Sequence, residues 1–365
     1  MRVSFVLDAF SGGGKERRCL QLIQGLEAIH FGEVQVIIVN NGIEYKELYE
    51  SSASIEIINR KERHLGELQT LKELNSLLSV FNPDIVQAWG TMSAGLVLLD
   101  KLFYRNRYKF VASYVANINP PKSLTVDGLI TTLCKLSCDK IVGNSLAGLS
   151  AYGIPDSKAC LIYNGFNEER FNNKLVDLTS KKNQCGISTT YVVSMFASFS
   201  KTKDWSCFIE AARIIIDKRN DITFLCVGDG PDKEGYIKSV PADYKDRLIF
   251  TGRRDDVDEL YQICDLTVLT STKGEGLSNS LLESMAWGVP CIASNAGGTP
   301  ELIQDRVNGT LIKKQTPEEL ANLIEELIDD AAHRNQLSVA ASETVKNRFL
   351  LKRMTQDYVN LFRSL

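Results

Sequence analysis

The stretch "LTVLTSTKGEGLSNSLLESMAWGVPCIAS", residues 266–294, decides the fold. It opens on a short apolar, β-branched run, "LTVLTS", and closes on a second, "VPCIAS". Between them "SLLESMAW" reads as a helix. Two continuous apolar runs joined by a loop and a helix read as buried parallel strands in an α/β layer, because strands covered on both faces need no polar alternation. The same stretch holds two glutamates, Glu275 and Glu283, eight positions apart. That spacing would place both roughly on one face of a long helix, but Gly274 and Gly276 make poor helix interior. One carboxylate is therefore expected in a loop and the other in a helix.

Eleven further runs of the same kind lie at 3–7, 34–39, 55–58, 84–89, 109–116, 140–145, 159–164, 191–197, 222–228, 247–252 and 309–313. Helix-length segments separate them. One carries a full start signal: Thr316 as cap, Pro317 at the first helical position and Glu319 three residues after the cap. Leu320, Leu323, Ile324, Leu327 and Ile328 then share a face. The polar stretch 164–186 has no sustained apolar period and reads as a linker. A chain of 365 residues exceeds one ordinary core, so two α/β domains are expected. Ligands of such sheets bind at the carboxyl ends of the strands, and the expected site is the cleft between the domains.

Composition narrows the class. Net charge is −3, charged residues make up 24% with the signs well mixed, and no basic tail points to nucleic acid. No window approaches 18 continuous apolar residues, and the apolar run at the N-terminus is one strand long, short for a signal peptide. The nine cysteines are odd in number and mostly sit in apolar runs. Cys134 and Cys138 are four apart without a second pair or nearby histidine to complete a zinc site. They read as reduced thiols of a cytoplasmic protein.

Two readings of the glutamates stay open on the residues alone. Ser280 to Glu283 fits a capping box, with Ser280 as cap and Glu283 as its partner. Glu275, between glycines, could be a solvated loop acid. In the functional alternative, a helix N-terminus offers N–H groups and a positive dipole end to a phosphate, and the two carboxylates accept from sugar hydroxyls.

The segment "EGLSNSLLE" resembles the E-x7-E motif of retaining glycosyltransferases of the GT-B fold, in particular glycosyltransferase family 4. "ESMAWGVPCIASNAGGTPELIQDRVNGTLI" is similar to the run that follows the second glutamate in that family. "FLCVGDGP", "LIYNGFN" and "FSGGGKERRCLQLI" resemble its strand end, interdomain hinge and N-terminal glycine loop. The resemblance implies two Rossmann-like doubly wound parallel-sheet domains facing a cleft. These are an N-terminal acceptor-side domain at 1–168, a nucleotide-sugar domain at 169–350, and a last helix at 351–365 that packs back on the first. Glu283 would bind the ribose and Glu275 would face the transferred sugar. Main-chain N–H groups across Gly276, Leu277, Ser278, Asn279, Ser280, Leu281 and Leu282 would hold the diphosphate and sugar. Lys203 would neutralise the diphosphate, Gly13 and Gly14 would let backbone approach donor or acceptor, and the loop 252–257 would lie near the base. Two features depart from the family pattern. Ser198 stands where an arginine is usual, with Arg253 or Arg254 as substitutes. No histidine follows 84–89 or 109–116, where Gln87 and Asn117 occupy the neighbourhood.

Other motifs weigh less. "SGGGKERR" lacks the first glycine and the Ser or Thr of a P-loop. Asp256 and Asp258 could form a metal-binding acid pair but fit a helix start better. "KLFYRNRYKF", 101–110, interleaves bases and aromatics, as a helix end or as a membrane contact. The expected reaction is retaining transfer from a nucleotide sugar, with UDP favoured, to a saccharide or lipid-linked saccharide in cell-surface polysaccharide assembly. No essential metal and no cofactor are expected, and the place is the cytoplasm, extending to the inner face of the plasma membrane. The alternatives are a nucleotide-sugar 2-epimerase on the same fold and a non-catalytic nucleotide-sugar-binding protein.

Overall fold

The structure is a computed structural model that describes residues 1–11, 13–40, 42–172 and 176–365. Gly12 of the glycine loop and residues 173–175 of the expected linker lie outside the described residues. The chain divides into two compact units: Met1–Asn167 with Leu351–Leu365, and Glu168–Leu350.

All thirteen apolar runs are strands. The first unit holds β1 (Arg2–Leu7), β2 (Glu33–Ile38), β3 (Ser54–Ile57), β4 (Ile85–Trp89), β5 (Lys109–Val115), β6 (Lys140–Gly143) and β7 (Ala159–Leu161). They pair in parallel in the order β3-β2-β1-β4-β5-β6-β7. The second unit holds β8 (Tyr191–Phe196), β9 (Ile222–Val227), β10 (Leu248–Gly252), β11 (Leu266–Leu269), β12 (Cys291–Ser294) and β13 (Thr310–Ile312). Their order is β10-β9-β8-β11-β12-β13, again parallel. β9 and β11 are buried at every position, as strands covered on both faces must be. Each sheet reverses its winding once, between β1 and β4 and between β8 and β11. At such a switch point the loops leave on opposite faces and open a crevice at the carboxyl ends of the strands.

In the first unit two apolar clusters cover the two sheet faces. One is completed by the chain's last helix, Leu351–Arg363, which buries Met354, Tyr358, Val359 and Phe362. Tyr358 lies 6.2 Å from the Trp89 ring and Phe362 6.0 Å from Phe31. The helix Gly14–Ala28 packs against it so closely that a Cβ on Gly25 would sit 2.2 Å from Thr355 Oγ1. In the second unit Trp205 stacks on Phe199 at 4.0 Å, and Phe208 and Phe224 continue the cluster.

Local signals are met where they were specific. The helix Pro317–Asp329 opens on Thr316, whose hydroxyl accepts from Glu319 N at 3.2 Å, and buries all five expected apolar positions. Glu319 departs from the box: its carboxylate accepts from Lys313 N and Lys314 N of the preceding turn. None of the nine cysteines is disulfide-bonded. Gln87 does not reach a strand end. It is buried inside β4, where its amide donates to Ser113 Oγ at 2.7 Å.

Candidate active site

The site builds on the switch point of the second unit. The loop after β8 and the loop after β11 are sewn together by backbone. Lys203 bridges Ser271, Asp204 N donates to Thr270 O at 3.0 Å, and Thr272 N to Thr202 O at 3.0 Å. Asp204 also caps the helix Trp205–Ile216, accepting from Cys207 N at 3.1 Å. Lys203 is thereby held at the strand ends.

Its ammonium forms an ion pair with Glu275 Oε1, which Ser271 Oγ also contacts, at 2.9 Å. Burial pulls the Lys203 ammonium down to about 8, against the opposite pull of Glu275. The Glu275 backbone is clamped from the loop after β12. Gly298 N donates to Glu275 O at 2.8 Å. Gly297, at φ +59, lies so near that a Cβ would stand 2.1 Å from that oxygen, so only glycine fits there. Glu275 is thus a positioned carboxylate, half buried, and not a solvated loop acid.

The helix that follows runs Asn279–Ala286 with Ser278 at its N-cap and no side-chain cap bond. The capping box expected of Ser280 and Glu283 does not form. Ser280 lies inside the helix, its hydroxyl near that of Ser278 at 3.2 Å. Glu283 is drawn elsewhere. Arg170 Nη1 donates to Glu283 Oε1 at 2.9 Å, and Tyr261 Oη approaches Oε2 at 3.5 Å. Arg170 also holds Asp258 through Nε at 3.1 Å and through Nη2. Trp287 Nε1 donates to the same Asp258 at 3.1 Å, and Phe171 packs edge-on against Trp287. Burial opposes the Arg170 charge, but Glu283 and Asp258 outweigh it and hold its pKa above the usual range. A buried cation shared by two carboxylates outcompetes a single neutral backbone N–H for the Glu283 carboxylate, because a charge-assisted bond is the stronger.

The remaining residues fall as follows. Gly276, Leu277, Ser278 and Leu281 are buried around the helix start, while Asn279 and Ser280 are half exposed. Ser198 is exposed after β8, its hydroxyl 3.1 Å from Ser200. Arg254 is not a ready substitute for the arginine at that place, because its guanidinium is bidentate on Asp256 at 2.7 and 2.5 Å. Arg253 is exposed. Asp256 and Asp258 do not form an open acid pair: Lys181 and Arg254 hold the first, Arg170 and Trp287 the second. Those cations keep the Asp256 carboxyl well below the ordinary carboxylate range, the hydrogen bonds from Arg254 most of all. Among the described residues no three His, Cys, Asp or Glu side chains converge as a metal-ligand set. Gly13 and Gly14 lie in the first unit, as cap and first residue of the helix after β1. Arg170, Tyr261 and Gly297 escaped the sequence reading. Nothing in a polar stretch signals a partner 113 positions away.

Residues 179–344 match the family model for glycosyl transferases group 1. The chain is 32% identical over 212 residues to an N-acetyl-alpha-D-glucosaminyl L-malate synthase of Bacillus anthracis, covering 57% of this chain and 54% of that protein. It is 29% identical over 210 residues to a UDP-Gal:alpha-D-GlcNAc-diphosphoundecaprenol alpha-1,3-galactosyltransferase of Escherichia coli, covering 56% and 54%. The chain thus spans about half the length of these relatives. Among solved structures, Anabaena HepE in complex with UDP superposes with a TM-score of 0.87 at 23% identity over the whole of both chains. WaaG, a glycosyltransferase involved in lipopolysaccharide biosynthesis, gives 0.75 at 15% over 99% of each. The architecture is the GT-B fold, two parallel-sheet Rossmann-like domains of seven and six strands.

Proposed function

We propose that this chain is a glycosyltransferase that moves a sugar, with retention of configuration, from a nucleotide sugar to a saccharide or lipid-linked saccharide acceptor. One observation carries the reading. A lysine, a clamped carboxylate and a helix start without a side-chain cap meet at the switch point of the sheet that lies in the matched segment. UDP is the favoured nucleotide, because a relative matched over half its length is named for UDP-Gal.

The chemistry follows from charge. As the glycosidic bond to the leaving diphosphate breaks, negative charge grows on the diphosphate oxygens. The N–H groups of Asn279 to Leu281 and the ammonium of Lys203 receive it in this reading, while Leu282 N is taken by Ser278 O at 3.1 Å. Glu275 holds Lys203 oriented before the donor arrives. The diphosphate then competes for the ammonium and frees the Glu275 carboxylate for the hydroxyls of the transferred sugar. Glu283, oriented by Arg170, accepts from the ribose. This charge balance needs no divalent ion, so turnover should persist in excess chelator. Loss there, restored by Mn²⁺ or Mg²⁺, overturns it.

The test is stabilisation by a panel of UDP-, GDP- and ADP-sugars, followed by turnover with and without saccharide acceptors. Ligand at ~100 times its dissociation constant adds about 2.7 kcal/mol, readily seen as a shift in Tm. Sugar transfer that requires acceptor supports the reading. Conversion of the donor with no acceptor present supports the epimerase instead, and binding without any conversion supports a binding protein.

A further inference from the structure

Two neighbouring helices of the first unit expose apolar side chains. Val126–Ser137 turns Gly128, Thr131 and Cys134 to the core. Val126, Leu129, Leu133 and Leu136, spaced by three and four, form the opposite stripe, and Leu136 is 73% exposed. Thr91–Tyr104 packs beside it and ends on Leu102 and Phe103, 61% and 69% exposed. Leu124, in the loop that leads into the first helix, is fully exposed. Single exposed leucines are ordinary, but adjoining stripes on packed helices are not.

The surroundings of this face are basic. From Leu99 to Ser137 the chain carries six lysines and arginines against two aspartates, in a molecule whose net charge is −3. One of the two, Asp100, is buried under Tyr108 and Asn106. Arg105, Arg107 and Lys122 are exposed, whereas Lys101 and Lys109 pair with Asp139, just beyond that stretch, at 3.1 and 3.6 Å. Among the described residues no helix is long and apolar enough to cross a membrane. An apolar stripe with a basic rim suits the plane of an interface, with leucines among acyl chains and bases at the headgroups.

We propose that this face docks on a bilayer surface bearing anionic headgroups. A second copy of the chain fits less well. A two-fold interface brings the same patch onto itself, and here it would set Arg105, Arg107 and Lys122 against their own copies. The surface is independent of the sugar-transfer reading, since it includes none of the residues placed at the nucleotide.

The experiment is flotation of the full chain with vesicles of phosphatidylcholine alone and of phosphatidylcholine mixed with phosphatidylglycerol. The parent should float with the mixed vesicles, less at high salt, and not with phosphatidylcholine alone. Phe103→Ser with Leu129→Ser, both at exposed positions, should reduce partitioning at least ~10-fold while circular dichroism and Tm stay as in the parent. Arg105→Glu with Arg107→Glu should reduce it similarly and flatten the salt dependence. Equal binding to both vesicle types overturns the electrostatic commitment. Absence of flotation overturns the proposal, as does a parent dimer that Phe103→Ser with Leu129→Ser turns into a monomer.

Discussion

At the scale of single residues the two glutamates differ in what holds them, and that difference separates their variants. Glu283 is locked by Arg170, so Glu283→Gln removes one carboxylate from a buried cation that keeps Asp258. Stability should fall by about 1–3 kcal/mol, which at roughly 2–4 °C per kcal/mol lowers Tm by several degrees. If the carboxylate also receives the ribose, UDP affinity should drop about 10- to 100-fold, the worth of a charge-assisted hydrogen bond. A variant of lowered Tm whose calorimetric affinity for UDP matches the parent removes Glu283 from the nucleotide. Glu275→Gln should behave oppositely. It takes away the rival for Lys203, so UDP binds no worse, while turnover falls at least ~10-fold because its partner is the sugar. Equal loss of UDP affinity in both variants would end this division of labour. Lys203 adds a pH signature. Its ammonium titrates near 8, so a bound diphosphate, which favours the charged form, must draw a proton from solution above that pH. UDP affinity should be level below pH 8 and fall by up to about tenfold per pH unit above it. Lys203→Arg, charged throughout, should stay level. A parent profile flat to pH 10 would remove Lys203 from the diphosphate. The loop place of Glu275 and the helix place of Glu283 were legible because glycines and apolar runs are local signals, whereas Lys203 was singled out only by the resemblance. The Arg170 clamp was not, since its partners lie 88 and 113 residues downstream and only folding unites them.

At the scale of elements the pattern read from the sequence and the structure agree where burial alone decides. Strands hidden on both faces must be continuously apolar, and each such run is a strand. Trimming occurs at the ends: "KIVGNS" keeps only Lys140–Gly143, because Ser145, fully buried, leaves the strand to cap Leu146–Ala151 by accepting from Gly148 N. Boundaries of this kind are set by caps and crossings and carry a weaker sequence signal. Of the two readings open for Glu283, the capping box fails because an ion pair with Arg170 outbids it. The last helix shows what one element contributes. Tyr358 is buried against Trp89 and Phe362, so Tyr358→Ala should cost about 3–5 kcal/mol, as large aromatic deletions do. Gly25→Leu, forced against Thr355, should also destabilise, by about 1–3 kcal/mol of overpacking. Urea unfolding of both variants measures this, and Gly25→Leu as stable as the parent would mean that the two helices part readily.

At the scale of the whole molecule the chain crosses between its two units at 167–168 and again at 350–351. The first unit is therefore closed by residues that follow the second unit in sequence, and the cover of one sheet face stays partial until Leu351–Arg363 joins Gly14–Ala28 on it. The second unit is continuous in sequence, and every residue assigned to the diphosphate and ribose lies within it. Ligand-linked stabilisation should follow that division. Hydrogen exchange of the full chain with saturating UDP should slow most in 198–204 and 271–283, the loops sewn together at the ends of β8 and β11. Smaller protection should reach Arg170 and 257–262 through the Glu283 clamp. Protection spread evenly over the whole second unit would mean that UDP suppresses only its global unfolding. Protection that bypasses 271–283 would place the nucleotide elsewhere. In Glu283→Gln the slowing at 257–262 should vanish while that at 198–204 persists. Lys203 and the helix start still meet the diphosphate in that variant, but the link from ribose to Arg170 is cut.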